Sequence, residues 1–318
     1  MRKLLLLLFL FSCGRSDSKP DPWYLPTNKV RVLSTTSIVD DLVKCVGGEE
    51  IITTILIQGN LDPHTYQLVK GDDEKLLSAD LIFYNGLGLE HGPSLKSSLE
   101  DNEKSLSLGR AVFENDPEAI LHYGGVADPH IWMDISLYAK AIPAIAKRLA
   151  QERPEKKEYF FANAKKLQKS LAKTDAAVRR ILQEVPARQR YLVTSHDAFN
   201  YFARAYLREP GEEKWQERFA APEGLAPESQ LSVSDIFDII TYMKKYRIKV
   251  LFPESNVSRD SIRKIVDAGN ENGMELVIAP DHIYGDAMGP PGSEGDTYSK
   301  MMKHNAKVIA KHLKGGSL

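Results

Sequence analysis

At 318 residues the chain exceeds the usual size of one domain, so two units are expected, and 42% hydrophobic with 27% charged residues describes an ordinary globular protein. A net charge of −1 without a basic run argues against nucleic acid as a partner.

Arg2 and Lys3 precede an unbroken apolar run, 4–11, then Ser12 and Cys13. This is the positive start and short apolar core of an export signal, far below the ~20 apolar residues of a spanning helix. The expected location is the periplasm or the outer face of the cytoplasmic membrane. Leu10-Phe11-Ser12-Cys13 resembles a bacterial lipoprotein cleavage box, with Cys13 as the lipidated residue. Phe11 is an unusual occupant of its position, and an ordinary cleaved signal is the alternative. Once Cys13 is lipidated or removed, Cys45 has no partner for an internal disulfide. Helical spacing sets Cys45 beside Ile38, Val39, Leu42 and Val46, which predicts a core position.

Residues 14–28 are polar and proline-rich, and read as a tether. Strand and helix signals then alternate: strand 30–35, helix 37–46, strand 51–57, helix 72–78, strand 81–84. A helix is predicted over 136–150, with Pro143 kinking it. Residues 154–184 carry the longest helical period, through Phe160, Ala164, Leu167, Leu171, Val178 and Ile181; Pro154 suits its first turn and Pro186 ends it. Such a helix spans ~45 Å, enough to strut two lobes. The alternation restarts with strand 191–194, helix 198–206, an irregular stretch 208–230, helix 233–246, strand 249–252, helix 260–272, strand 275–279 and helix 297–313. The expected fold class is α/β, with two lobes, each a mainly parallel sheet flanked by helices, joined by one long rigid helix. The expected boundaries are 1–13 for the signal, 14–28 for the tether, 29–153 for the N-terminal lobe, 154–186 for the linking helix and 187–318 for the C-terminal lobe.

One tripeptide occurs twice, Asp62-Pro63-His64 and Asp128-Pro129-His130. Proline fixes its own φ and extends the residue before it, a stiff approach for a side chain aimed at one point. His196 follows a predicted strand almost at once, and Asp286 lies a few residues past another. Ligands of open α/β sheets bind beyond the carboxyl ends of strands, so a cleft between two sheets would gather His64, His130, His196 and Asp286. Three imidazoles and a carboxylate suit Zn(II), Mn(II) or Fe(II). Asp62, Asp128, Asp197 and Glu254 are candidates to hold the imidazole N–H groups. His122 and His282 fall in predicted loops and are read as outside the site, with His91, His304 and His312. Glu90-His91 lacks the flanking histidines of the zinc-protease helix.

Several motifs resemble those of the TroA-like solute-binding proteins of bacterial manganese, zinc and iron ABC importers. They are Asp62-Pro63-His64-Thr65-Tyr66, the segment 81–90, Asp128-Pro129-His130-Ile131-Trp132-Met133-Asp134, Ser195-His196-Asp197-Ala198-Phe199 and Gly285-Asp286-Ala287-Met288-Gly289. Glu254-Ser255 and Thr297-Tyr298 also match the family pattern. The resemblance covers nearly the whole chain beyond the tether. It implies two lobes joined by one helix, a divalent metal (Mn, Fe or Zn) as transported ligand, and His64, His130, His196 and Asp286 as its ligands. It also implies docking on a membrane permease. No His-rich loop precedes the second motif, which leans towards manganese or iron, while three histidines keep zinc open. A monomer without enzymatic activity is expected. The rival readings are a metal-dependent hydrolase with Glu254 as base, and a surface adhesin with a structural metal.

Overall fold

Short runs of β-branched and large apolar residues build the first sheet. Its strands are β1 (Val30–Ser34), β2 (Ile51–Ile55), β3 (Leu81–Tyr84) and β4 (Ser105–Ser107), all parallel in the order β2-β1-β3-β4. Val30 faces Ile51 across one edge and Val32 faces Leu81 across the other. The computed structural model describes residues 21–222, 224 and 231–315; the expected export signal with Cys13, and the expected tether up to residue 20, lie outside these. Parallel neighbours need crossovers, and helices Ser37–Gly47, Asp72–Ser78 and Pro93–Glu100 supply them. The first is started by Thr36, whose hydroxyl accepts the Val39 N–H, and stopped by Gly48 at φ 55°.

In the second half β7 (Leu192–Val193) pairs in parallel with β8 (Phe219–Ala220), and β9 (Val250–Leu251) with β10 (Val277–Ile278). The Phe252 N–H donates to the Val193 carbonyl at 2.8 Å and joins the two pairs edge to edge. A short antiparallel hairpin, β5 (His122–Tyr123) with β6 (Val126–Ala127), leads into the second Asp-Pro-His copy.

The long helix, Lys157–Gln183, rises about 40 Å. It turns Phe160, Ala164, Leu171, Val178 and Leu182 inward. Its early turns dock on the first half, where Asn163 donates to the Val46 carbonyl at 3.1 Å. Its later turns meet the second half, where the Tyr206 hydroxyl donates to Asp175 at 2.7 Å. One apolar cluster runs from Val32 and Ile38 through Trp132, Tyr138 and Phe160 to Tyr201, Phe252 and Tyr298, so the halves share a core along this helix.

Several elements depart from the sequence expectation. The predicted helix 136–150 is two helices, Ile135–Tyr138 and Ile142–Glu152, separated by a 3-10 turn; Pro143 sits in the first turn of the second, where its missing N–H costs nothing. The predicted helix 198–206 is one α turn, Asn200–Phe202, widening into a π turn, Ala203–Leu207. Strand β8 lies inside the stretch read as irregular. Cys45 is exposed, not core: it falls at the margin of the stripe formed by Ile38, Val39, Leu42, Val43 and Val46. Part of the tether is packed as well. Pro22–Tyr24 forms a 3-10 turn that buries Trp23, whose carbonyl accepts from Arg31 Nε at 3.0 Å; hiding so large an apolar surface outweighs the polar composition around it.

Candidate metal centre

Both copies of Asp-Pro-His fold into the same turn. Asp62 Oδ1 accepts the His64 N–H at 2.8 Å, and Asp128 Oδ1 accepts the His130 N–H at 2.9 Å. This local bond is available to an Asp two residues ahead of an amide, and the intervening proline holds the backbone ready for it. The copies then diverge. Asp128 Oδ1 also meets His130 Nδ1 at 2.7 Å, whereas the second oxygen of Asp62 takes the Thr65 hydroxyl at 3.1 Å.

His196 and Asp286 reach the same spot from the second half. His196 stands just past the end of β7. Glu254, past the end of β9, accepts the Ser195 and His196 N–H groups with Oε1, each at 3.0 Å, and sets Oε2 2.8 Å from His196 Nδ1. Beyond β10 the chain pairs with the Glu254 stretch, the Ile283 N–H bonding the Pro253 carbonyl and the Ser255 N–H bonding the Ile283 carbonyl, which delivers Asp286. Gly285 has no room for a side chain, because a Cβ there would lie 2.3 Å from Glu254 Oε2. Its carbonyl accepts from Trp132 Nε1 at 3.0 Å, a bond between the halves beside His130.

His64, His130, His196 and Asp286 are all buried, and one ligand atom from each lies within 4.8 Å of all the others. His64 Nε2 is 3.2 Å from His130 Nε2 and 3.7 Å from Asp286 Oδ2. His130 Nε2 is 3.6 Å from Asp286 Oδ1, and His196 Nε2 is 3.1 Å from Asp286 Oδ2. A tetrahedral ion with bonds of about 2.1 Å separates its ligands by about 3.4 Å, so these edges fit a transition metal. Buried His196 Nε2 and Asp286 Oδ1 also lack a hydrogen-bond partner; they aim at a shared point rather than at each other.

The electrostatics agree with that chemistry. Burial pushes the His64 imidazole down to about 3, with only partial opposition from Asp286, so the ring is neutral and ready to ligate. Burial also disfavours charge on His196, but Glu254 and Asp286 outweigh it and hold that ring well above the usual histidine range. Burial would raise Asp286, yet His196, His130 and His64 hold it well below the carboxylate range. Carboxylates turned onto buried imidazoles favour a cation between them.

Of the four carboxylates expected to hold imidazole N–H groups, Asp128 does so by a hydrogen bond to His130 Nδ1, and Glu254 Oε2 stands at ion-pair distance, 2.8 Å, from His196 Nδ1. Asp62 instead holds backbone. Asp197 is one step removed, since the Asn200 amide bridges Asp128 Oδ2 at 3.0 Å and Asp197 Oδ1 at 2.9 Å. His122, on β5, sits 3.1 Å from the Ile120 carbonyl, and His282 packs its ring on Tyr284 and His304; neither joins the cluster. Three supporting asparagines were not singled out from sequence: Asn200, Asn85 and Asn256. Asn85 donates to the Pro129 carbonyl at 2.9 Å, while buried Glu90 accepts the Asn85 and Gly86 N–H groups and the Thr35 hydroxyl. The position of each beside a strand end or an Asp-Pro-His copy was the available signal.

Comparison with known proteins gives a consistent picture. A family model described as zinc-uptake complex component A, periplasmic, matches residues 32–312. The metal-binding protein YtgA of Chlamydia pneumoniae is 37% identical over 99% of this chain and 96% of its own length. The manganese-binding lipoprotein MntA of Bacillus subtilis (strain 168) is 31% identical over 90% of each chain. The crystal structure of Fe(III)-bound YtgA from Chlamydia trachomatis has a TM-score of 0.84 at 35% identity, covering 90% of this chain and 98% of that one.

Proposed function

The chain belongs to the family of periplasmic zinc-uptake components, the TroA-like metal-binding proteins, and from that membership we propose that it captures one divalent transition metal and delivers it to the membrane permease of an ABC importer. The ligands are His64, His130, His196 and one or both oxygens of Asp286. The single observation that carries this reading is the buried group of three imidazoles and one carboxylate with separations suited to a metal. Relatives named for manganese and zinc, and one crystallised with Fe(III), make Mn, Fe and Zn the cargo class.

Residues 29–153 and 187–318 are the two metal-binding lobes, linked by 154–186. The protein is exported by the segment 1–13, anchored through a lipid at Cys13 and works as a monomer outside the cytoplasm. Among the described residues no helix is long and apolar enough to cross a membrane. It is a carrier, not an enzyme. A hydrolase would need Glu254 as a base facing substrate, and Glu254 is buried, with Oε1 taking the 195–196 backbone N–H groups and Oε2 turned to the His196 ring at 2.8 Å.

Elemental analysis of protein purified without chelator tests the reading. One equivalent of metal is expected for the wild type and a loss of at least about a hundredfold in affinity for H64A and D286A. Metal retained in full by either variant contradicts the ligand set, and ester or phosphate hydrolysis dependent on His196 would favour the enzyme reading.

A further inference from the structure

Asp286 presents both carboxylate oxygens to the imidazole ring of donors. Oδ1 faces His130 Nε2 at 3.6 Å; Oδ2 faces His196 Nε2 at 3.1 Å and His64 Nε2 at 3.7 Å. A carboxylate is free to turn about its Cβ–Cγ bond unless something fixes its plane. Among the described residues one hydrogen bond does so from outside the imidazoles: Asn256 Nδ2 donates to Asp286 Oδ2 at 3.3 Å. The carboxylate oxygen has a second lone pair left for an ion, so the bond orients Oδ2 without consuming it.

The placement of Asn256 is built into the fold. Asn256 continues the Glu254–Ser255 stretch that bridges to Ile283, so it and Asp286 lie on paired lengths of chain. Gly285 between them is without a Cβ; one built there would sit 2.3 Å from Glu254 Oε2 and 3.4 Å from Asn256 Oδ1. Asn256 Oδ1 is buried and makes no hydrogen bond, so the amide does nothing else visible at this position than face the carboxylate.

We propose that Asn256 is a positioning residue that holds Asp286 with both oxygens towards the ion, and so biases the site towards metals that accept more than four donors. This rests on the ligand set proposed above and concerns which cargo that set prefers. Three imidazole nitrogens and two carboxylate oxygens make a cage that Mn(II) and Fe(II) fill readily, whereas Zn(II) is satisfied by four donors in a tetrahedron. Freeing the carboxylate lets it fall back to one oxygen. That loss matters to the first pair of ions and little to the third.

The test compares the wild type with N256L, similar in size and without a donor. Competitive titrations with Mn(II) and Zn(II) are paired with X-ray absorption at the manganese edge. N256L is expected to lose about tenfold in Mn(II) affinity, the scale of one hydrogen bond to a charged group, and less than about threefold in Zn(II) affinity. The manganese first shell should lose one oxygen. Retained Zn(II) binding reports that the variant is folded with its imidazoles in place. Equal losses for the two ions, or an unchanged manganese affinity and first shell, overturn the proposal. A wild type that binds neither ion overturns the ligand set itself, and this inference with it.

Discussion

At His196 two carboxylates meet one imidazole, and the consequence is a pH dependence of defined sign. The ring is held protonated above the usual histidine range, while Nε2 must be bare to ligate. Metal uptake should therefore release about one proton near neutrality, and affinity should fall about tenfold per unit as pH drops below the His196 value. His64 adds no further proton there, because its own value lies at about 3. Calorimetric titrations in buffers of different ionisation enthalpy measure the proton directly; an affinity flat from pH 8 to about 6 contradicts the site as drawn. Glu254 offers a sharper substitution. In E254Q the side-chain oxygen can still accept the two backbone N–H groups, but the new NH₂ faces His196 Nδ1 and moves the ring proton to Nε2. A 10–100-fold loss of metal affinity is expected with the fold intact, and unchanged binding would show that Glu254 does not set the tautomer. The residues that gather in the buried cluster were legible because the Asp-Pro-His copies and the strand-end His each carry a local signal. Asn200, Asn85 and Asn256 were not, since each acts through a partner distant in sequence: Asp128, Pro129 and Asp286.

Among the elements, the turn 283–289 and the first helix of the chain are the joints between the halves. Ser37 Oγ accepts the Met288 N–H and Asp41 Oδ2 accepts the Tyr298 N–H, both at 3.2 Å, so one face of helix Ser37–Gly47 holds the Asp286 turn and caps helix Tyr298–Lys314. D41A should destabilise the protein by about 1 kcal/mol in urea unfolding, the usual cost of a lost cap; an unchanged midpoint would mean water replaces it freely. G285A forces a methyl onto Glu254 Oε2 and should cost about 1–3 kcal/mol and weaken metal binding together, because Glu254 cannot move without releasing His196. A stable G285A with wild-type affinity would contradict that coupling. Long periodic elements were readable: the helix predicted from 154 is a 3-10 turn, Pro154–Lys156, followed by Lys157–Gln183, and helices Asp72–Ser78 and Val233–Tyr246 match their predicted bounds. Helices Pro93–Glu100 and Leu108–Asn115 and strand β4 were missed. They are too short for a period to build up, and tertiary packing rather than propensity decides them.

For the molecule as a whole, the shared core along the long helix argues for small motions. A cluster continuous from Val32 to Tyr298, with Trp132 bonding the Gly285 carbonyl and accepting from the Tyr298 hydroxyl, ties the halves close to the site. Solution scattering with and without metal should show nearly superimposable profiles, and a rotation of the halves by tens of degrees would contradict a stiff linker. The long helix foretold two lobes, but not that their apolar cores merge. That merger depends on residues such as Trp132 and Tyr201, whose partners no spacing reveals. The most direct test of the central claim is an anomalous difference map from crystals of the metal-loaded protein. One strong peak is expected about 2.0–2.2 Å from the Nε2 atoms of His64, His130 and His196 and in contact with the Asp286 carboxylate. A peak elsewhere, or any of the three imidazoles turned away from it, would contradict the account.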